Sequence, residues 1–142
     1  MIKSRKSRKN GVFSELYEDA NDIIVNKIID ILRGVLHLDP INKTVIIKDK
    51  FYCESISNKL RILIGLVAIK AMHIEKWIET DEVTPKELGD LLNINYSTVR
   101  VILSKDLTRS GYARKSDRGK YKINISKIDS IHREIKEALE RC

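Results

Sequence analysis

Eight bases stand in the 28 residues from Asn95 to Lys122, against only Asp106 and Asp117, a local charge of +6. Arg100, Lys105, Arg109, Arg114, Lys115, Arg118, Lys120 and Lys122 are interleaved with the small hydroxyls of Ser97, Thr98, Ser104 and Thr108. That mixture suits a polyanion. Clustered cations displace the counterions of a phosphate chain, and short side chains and free amides donate to single phosphate oxygens. A second basic block, Lys3, Arg5, Lys6, Arg8 and Lys9, gives residues 1–12 a charge of +5 with no acid. Between residues 13 and 78 nine bases balance nine acids. The net +7 of the chain is therefore concentrated in two places, an asymmetry that points to a nucleic-acid partner.

Other chemistries find little material. His37, His73 and His132 are far apart and form no spaced pair with Cys53 or Cys142, so no zinc pattern exists. Two unspaced cysteines read as idle thiols of an intracellular protein, Cys53 as a small buried apolar group and Cys142 as a frayed terminus. No phosphate-cradling glycine loop, nucleophile elbow or H-E-x-x-H is present. No enzyme activity, cofactor or metal is expected, and a small-ligand pocket has no support in the sequence. The longest apolar run, Ile62 to Ile69, has eight residues and meets Lys70, too short for a bilayer. The basic N-terminus has no apolar stretch behind it. These features lead to the expectation of a soluble, cytoplasmic, nucleoid-associated protein.

The elements that must position the basic window follow from periodicity. Residues 1–12 offer nothing to bury and read as a disordered tail. From Phe13 to Leu36 apolar residues recur at steps of three and four (Leu16, Ala20, Ile23, Ile24, Ile28, Ile31, Val35), a helix with Ser14 as its N-cap and Gly34 and Asp39-Pro40 helping to end it. Thr44–Lys48 reads as a strand turning at Asp49-Lys50 into a second strand at Phe51–Cys53. Ile56–Ile78, capped by Ser55 or Ser57, is apolar on nearly every face and should be the central buried helix. Thr84-Pro85-Lys86-Glu87 is a capping box with proline at the first helical position, so a short helix starts at Pro85 and ends at Asn93 with Leu88, Leu91 and Leu92 inward. Ile94 is expected to be buried in the following turn, with Asn95 or Ser97 capping a helix from Tyr96 to Ser110. Val99, Ile102, Leu103 and Leu107 should form its inner face. Tyr112–Lys115 and Lys120–Ile123 read as two strands around Asp117-Arg118-Gly119. An amphipathic helix over residues 126–141, capped by Ser126 with Asp129 reaching back, closes the chain.

Two helices joined by a tight turn and followed by a basic hairpin have a known likeness. The stretch from about Ile56 to Ile123 resembles the winged helix-turn-helix domain common in archaeal and bacterial transcription factors. The resemblance rests on V-T-P-K-E-L-G-D-L-L-N-I, Y-S-T-V-R-V-I-L-S-K-D-L, S-G-Y-A-R-K and G-K-Y-K-I, about half the chain. It implies double-stranded DNA as partner, with helix 96–110 in the major groove and the hairpin 112–123 as a wing on the backbone. Outward helical positions would then supply Tyr96, Ser97, Thr98, Arg100, Val101, Ser104, Lys105 and Arg109, and the wing Arg114, Lys115, Arg118 and Lys120. Arg100 suits the two acceptors of a guanine edge, and Ser97 and Thr98 suit phosphate. Val101 either meets a thymine methyl or turns inward.

The expected fold is mainly α within α+β: a winged helix-turn-helix (56–125) between an N-terminal arm (13–55) and a C-terminal helix (126–142), after the tail (1–12). The expected function is a DNA-binding transcriptional regulator. A protein-interaction subunit and a sequence-tolerant chromatin protein are the alternatives. A homodimer is expected through helices 13–36 and/or 126–141, with intrachain packing of these helices as the alternative.

Overall fold

The computed structural model describes the backbone of residues 14–142 and the side chains of residues 22–142; the basic tail lies outside the described residues. The described residues are mainly helical with two small antiparallel hairpins. Its order is α1 (Ser14–Arg33), β1 (Leu36–Asp39), β2 (Thr44–Ile47), a 3-10 turn (Asp49–Tyr52) and α2 (Asn58–Ile74). Then come α3 (Pro85–Leu92), α4 (Tyr96–Val101), a π-helical stretch (Ile102–Leu107), α5 (Thr108–Ser110), β3 (Ala113–Lys115), β4 (Tyr121–Ile123) and α6 (Ile128–Glu140). Among the described residues, no helix is long and apolar enough to cross a membrane.

α2 is the axle of the core. Every residue from Ile62 to Ile69 is buried, and the helix packs against α1, α3, α6 and β4. A helix that is apolar all round must be covered all round, and this one is. Ser57 caps it, accepting from the Leu60 amide at 3.3 Å. It stops four residues earlier than periodicity suggests. Trp77 N–H donates to the Met72 carbonyl and Lys76 N–H to the His73 carbonyl, while Lys76 takes a left-handed φ of 64°. This is a Schellman-type end, and without glycine it carries no sequence signal.

The first hairpin differs from its expected position. β1 pairs with β2, Leu36 opposite Ile47 and Asp39 opposite Thr44. Asp39 makes the turn: its Oδ1 accepts from the Ile41 amide at 2.9 Å and its Oδ2 from Asn42 Nδ2 at 2.8 Å. The Asn42 contacts hold its carboxyl below the usual carboxylate range. Asp39-Pro40 is thus a strand turn more than a helix stop. Phe51, expected in a strand, is fully buried in the 3-10 turn. Arg61 holds that turn, donating from Nε to the Phe51 carbonyl at 3.0 Å and from Nη2 to the Cys53 carbonyl at 3.1 Å.

Two expectations about the C-terminus are corrected. Cys53 and Cys142 are bonded to each other as a disulfide, not idle thiols, with a sequence separation of 89 residues. Folding brings the end of α6 beside the 3-10 turn, where Ser55 Oγ also donates to the Arg141 carbonyl at 3.2 Å. Ser126 is not the cap of the last helix. Its amide and hydroxyl both donate to Asn124 Oδ1, a 3-10 turn (Ile125–Lys127) intervenes, and α6 begins at Ile128. Asp129 instead pairs with Lys27 of α1 at 3.3 Å. The α6 stripe of Ile128, Ile131, Ile135 and Ala138 is buried within the protomer, and α6 lies against α1. This helix packs against α1 and α2 through that stripe.

Candidate nucleic-acid interface

α3 forms where its capping box places it. Glu87 N–H donates to Thr84 Oγ1 at 3.1 Å, and Thr84 N–H donates to Glu87 Oε1 at 2.8 Å. Leu88 and Leu92 are buried and Leu91 is half-buried. The helix ends at Asn93, in a left-handed conformation with φ 57° that asparagine tolerates. Gly89 is required at this corner: a Cβ there would stand 2.7 Å from the Ile94 carbonyl oxygen, a backbone atom that cannot yield cheaply. Gly65 of α2 has the same role a layer deeper, where a Cβ would lie 2.6 Å from Leu92 Cδ1. These two glycines set how closely α3 lies against α2 and against the turn. Ile94 is half-buried, less than expected.

Asn95 caps α4. Its Oδ1 accepts from the Ser97 amide at 2.9 Å and from the Ser97 hydroxyl at 2.5 Å. Val99, Leu103 and Leu107 are buried along the inner side and Ile102 is half-buried. The outer side carries Tyr96, Ser97, Arg100, Ser104, Lys105, Thr108 and Arg109, all exposed. Val101 is 41% exposed and lies on this outer side, so the choice left open by the sequence goes outward. Thr98 is half-buried. Arg100 rests its guanidinium 6.0 Å from the centre of the Tyr96 ring, which steadies both side chains.

Two hydroxyls are less free than their types suggest. Ser97 commits both its donors to Asn95, and Ser104 Oγ donates to the Arg100 carbonyl at 2.9 Å. Each oxygen keeps lone pairs to accept with, but neither has a donor left for phosphate. Thr98 remains the better phosphate donor of the expected pair. The π-helical stretch over Ile102–Leu107 also had no sequence signal. In it the Leu103 carbonyl accepts from both the amide and the hydroxyl of Thr108, the latter at 2.7 Å. Such widened turns interrupt a helix where its side chains must be re-aimed.

The second hairpin matches its expected place. Ala113 opposes Ile123, Arg114 opposes Lys122 and Lys115 opposes Tyr121. Gly119, at φ 73°, makes the turn, with Ser116 N–H donating to the Lys120 carbonyl at 2.8 Å. Ala113, Tyr121 and Ile123 are buried; Arg114, Lys115 and Arg118 are exposed and Lys120 is half-exposed. Lys115 Nζ lies 5.9 Å from the centre of the Tyr121 ring. Arg114 and Lys122 stand directly opposite each other in the ladder, an arrangement of like charges that weakens a hairpin unless an anion is shared between them. Lys122 belongs with the site residues, and the period-2 register identifies it once the turn is placed. Lys127, exposed and near Gly111, extends the basic side past the end of α5.

What holds this hairpin lies in the tertiary structure. Val83, just before α3, bridges Tyr121 with hydrogen bonds of 2.9 and 2.8 Å in both directions. The start of α3 is thereby locked to β4, while β3 packs beside the π-helical stretch and α5. At the hairpin base, Asn124 Nδ2 donates to the Gly111 carbonyl at 2.7 Å. Tyr112 donates its hydroxyl to Glu134 of α6, and this bond together with burial raises the phenol above its ordinary range. Lys59 of α2 completes the cluster, 3.6 Å from Glu134 and 5.7 Å from the centre of the Tyr112 ring.

The electrostatics divide sharply. Among the described residues the ion pairs are Lys27–Asp129, Lys59–Glu134, Lys70–Asp81, Lys86–Asp90, and Asp30 with His132 and Lys136. None of them uses any of the eight bases from Arg100 to Lys122. No group of three or more His, Cys, Asp or Glu side chains suited to a metal occurs among the described residues. No protein-family model matches the chain, and neither a curated protein nor a solved structure is significantly similar to it.

Proposed function

We propose that the chain binds double-stranded DNA as a winged helix-turn-helix protein and acts as a transcriptional regulator. In this reading α4, the π-helical stretch and α5 enter the major groove, and the β3–β4 hairpin lies on the sugar–phosphate backbone. The observation that carries it is the set of eight bases, clustered in one 28-residue window and joined to no acid among the described residues, in a chain whose other described lysines are often paired. Keeping so many cations together and uncompensated is costly without a polyanion to meet them.

The roles divide by position. Arg100, steadied on Tyr96, offers the planar fork that reads a guanine edge, and Val101 offers the apolar contact for a thymine methyl. Thr98 donates to phosphate, while Ser97 and Ser104 orient as acceptors. Lys105, Arg109, Arg114, Lys115, Arg118, Lys120 and Lys122 neutralise phosphates.

The test is a duplex titration at two salt concentrations with sequencing of the bound pool. The reading requires salt-sensitive binding and an enriched sequence. Tight binding with no enrichment replaces the regulator with an architectural protein, and no salt-sensitive binding overturns the DNA reading as a whole.

A further inference from the structure

A groove of about 340 Å³ opens between α1, β1 and the end of α2, away from the basic window. Ile28, Leu32, Leu36 and Ala71 form its buried floor. Val25, Ile29 and Ile74 stand on its rim with 38, 44 and 41% of their surface exposed. Gathering three of the chain's larger exposed apolar side chains around one concave floor leaves apolar surface in water at about 25 cal/mol per Å², an arrangement favoured by something that covers it. The volume falls in the range of small-molecule sites.

The charges select among occupants. Arg33, His37 and Lys48 line the groove where α1 ends, and none has an ion-pair partner among the described residues. Lys48 Nζ donates to the Arg33 carbonyl at 2.9 Å, which fixes an ammonium at that corner. Glu75 is the single acid of the lining among the described residues. A two-fold contact centred here would bring the cations of both copies together, Arg33, His37 and Lys48 facing their own counterparts, which disfavours a second copy as the occupant. We infer that the groove binds a small amphipathic anion, an apolar body of drug-like size with one carboxylate or sulfonate directed at Arg33 and Lys48.

The test uses the full chain and two fluorescent probes of nearly the same shape: 8-anilinonaphthalene-1-sulfonate and the uncharged N-phenyl-1-naphthylamine. Both should bind saturably at one site in the micromolar range. Arg33→Ala with Lys48→Ala should weaken the sulfonate roughly fivefold to tenfold, the size of one or two partly exposed charge contacts, and leave the neutral probe within about twofold. Glu75→Gln should strengthen the sulfonate alone. Ala71→Phe should abolish both by filling the floor. Val25→Trp, at a half-exposed rim position that tolerates bulk, should do the same if Ala71→Phe does not fold. Unsaturable binding, equal losses for both probes in the double variant, or no loss in Val25→Trp would overturn the proposal. So would a dimer in sedimentation that Val25→Trp dissociates. Each readout is independent of DNA binding.

Discussion

The α1–α6 side of the molecule and the α4–hairpin side use charge in opposite ways. Where α6 lies on α1 and α2, Lys27 meets Asp129, Lys59 meets Glu134, and Asp30 meets both His132 and Lys136. From Arg100 to Lys122, among the described residues, the bases meet only aromatic rings and solvent. One side pairs its charges within the fold, and the other leaves them unpaired among the described residues. Substitutions of these charged side chains should therefore separate into those that change stability and those that change binding.

The largest expected effect is on the holding side. Removing the disulfide with Cys53→Ala and Cys142→Ala releases a loop of 89 residues and should cost about 2–5 kcal/mol in chemical denaturation. Duplex affinity of the folded fraction should stay unchanged; a parallel loss of affinity would erase the contrast between the two sides. Gly89→Ala should cost about 1–3 kcal/mol by overpacking the α3 corner against the Ile94 carbonyl. It should also weaken DNA binding, because that corner aims α4, and thermal melting beside a gel shift measures both.

Arg100→Ala should cost about 1–3 kcal/mol on the preferred duplex and flatten base preference there, with the melting temperature unmoved. Arg118→Ala should weaken all sequences alike and reduce the slope of log K against log salt by about 1. Identical behaviour of these two variants would contradict the division between reading and clamping.

The smallest effect sharpens the holding side. The His132 hydrogen bond, then Lys136, holds the Asp30 carboxyl below its ordinary value. A depressed carboxylate stabilises the fold above its unfolded pKa, and that contribution is lost as pH falls through the lowered folded value. Asp30 is partly exposed, so Asp30→Asn should cost under about 1 kcal/mol at neutral pH. The difference from the unsubstituted chain should shrink on acidification below the carboxylate range. A difference that persists in acid would mean Asp30 acts through packing instead.

Local chemistry was readable where one short segment satisfies itself. Thr84 and Glu87 cap their own helix three residues apart, and Asp117-Arg118-Gly119 can only turn; both appear where the residues place them. The hydrophobic saturation of Ile62–Ile69 likewise required a central helix. Features decided by which of several competing local hydrogen bonds forms were not readable. Leu36 and Leu38 extend the helical period of α1 yet pair as a strand, because Asp39 finds Ile41 and Asn42. The Ser97 and Ser104 hydroxyls look free in sequence and are tied back in the folded helix.

Composition and spacing alone determined that this chain is mainly helical, that its surplus cations fall in an N-terminal stretch and one internal window, and that a capped helix precedes that window. Those properties arise from neighbours within a turn or two, whose interactions survive any arrangement of the rest. Only the tertiary structure decided that Cys53 meets Cys142, that Val83 ties α3 to the hairpin, and that the bases from Arg100 to Lys122 pair with no acid among the described residues. Such contacts join residues tens of positions apart. Their loop-closure entropy is offset only by the whole core packing at once, so no local pattern announces them.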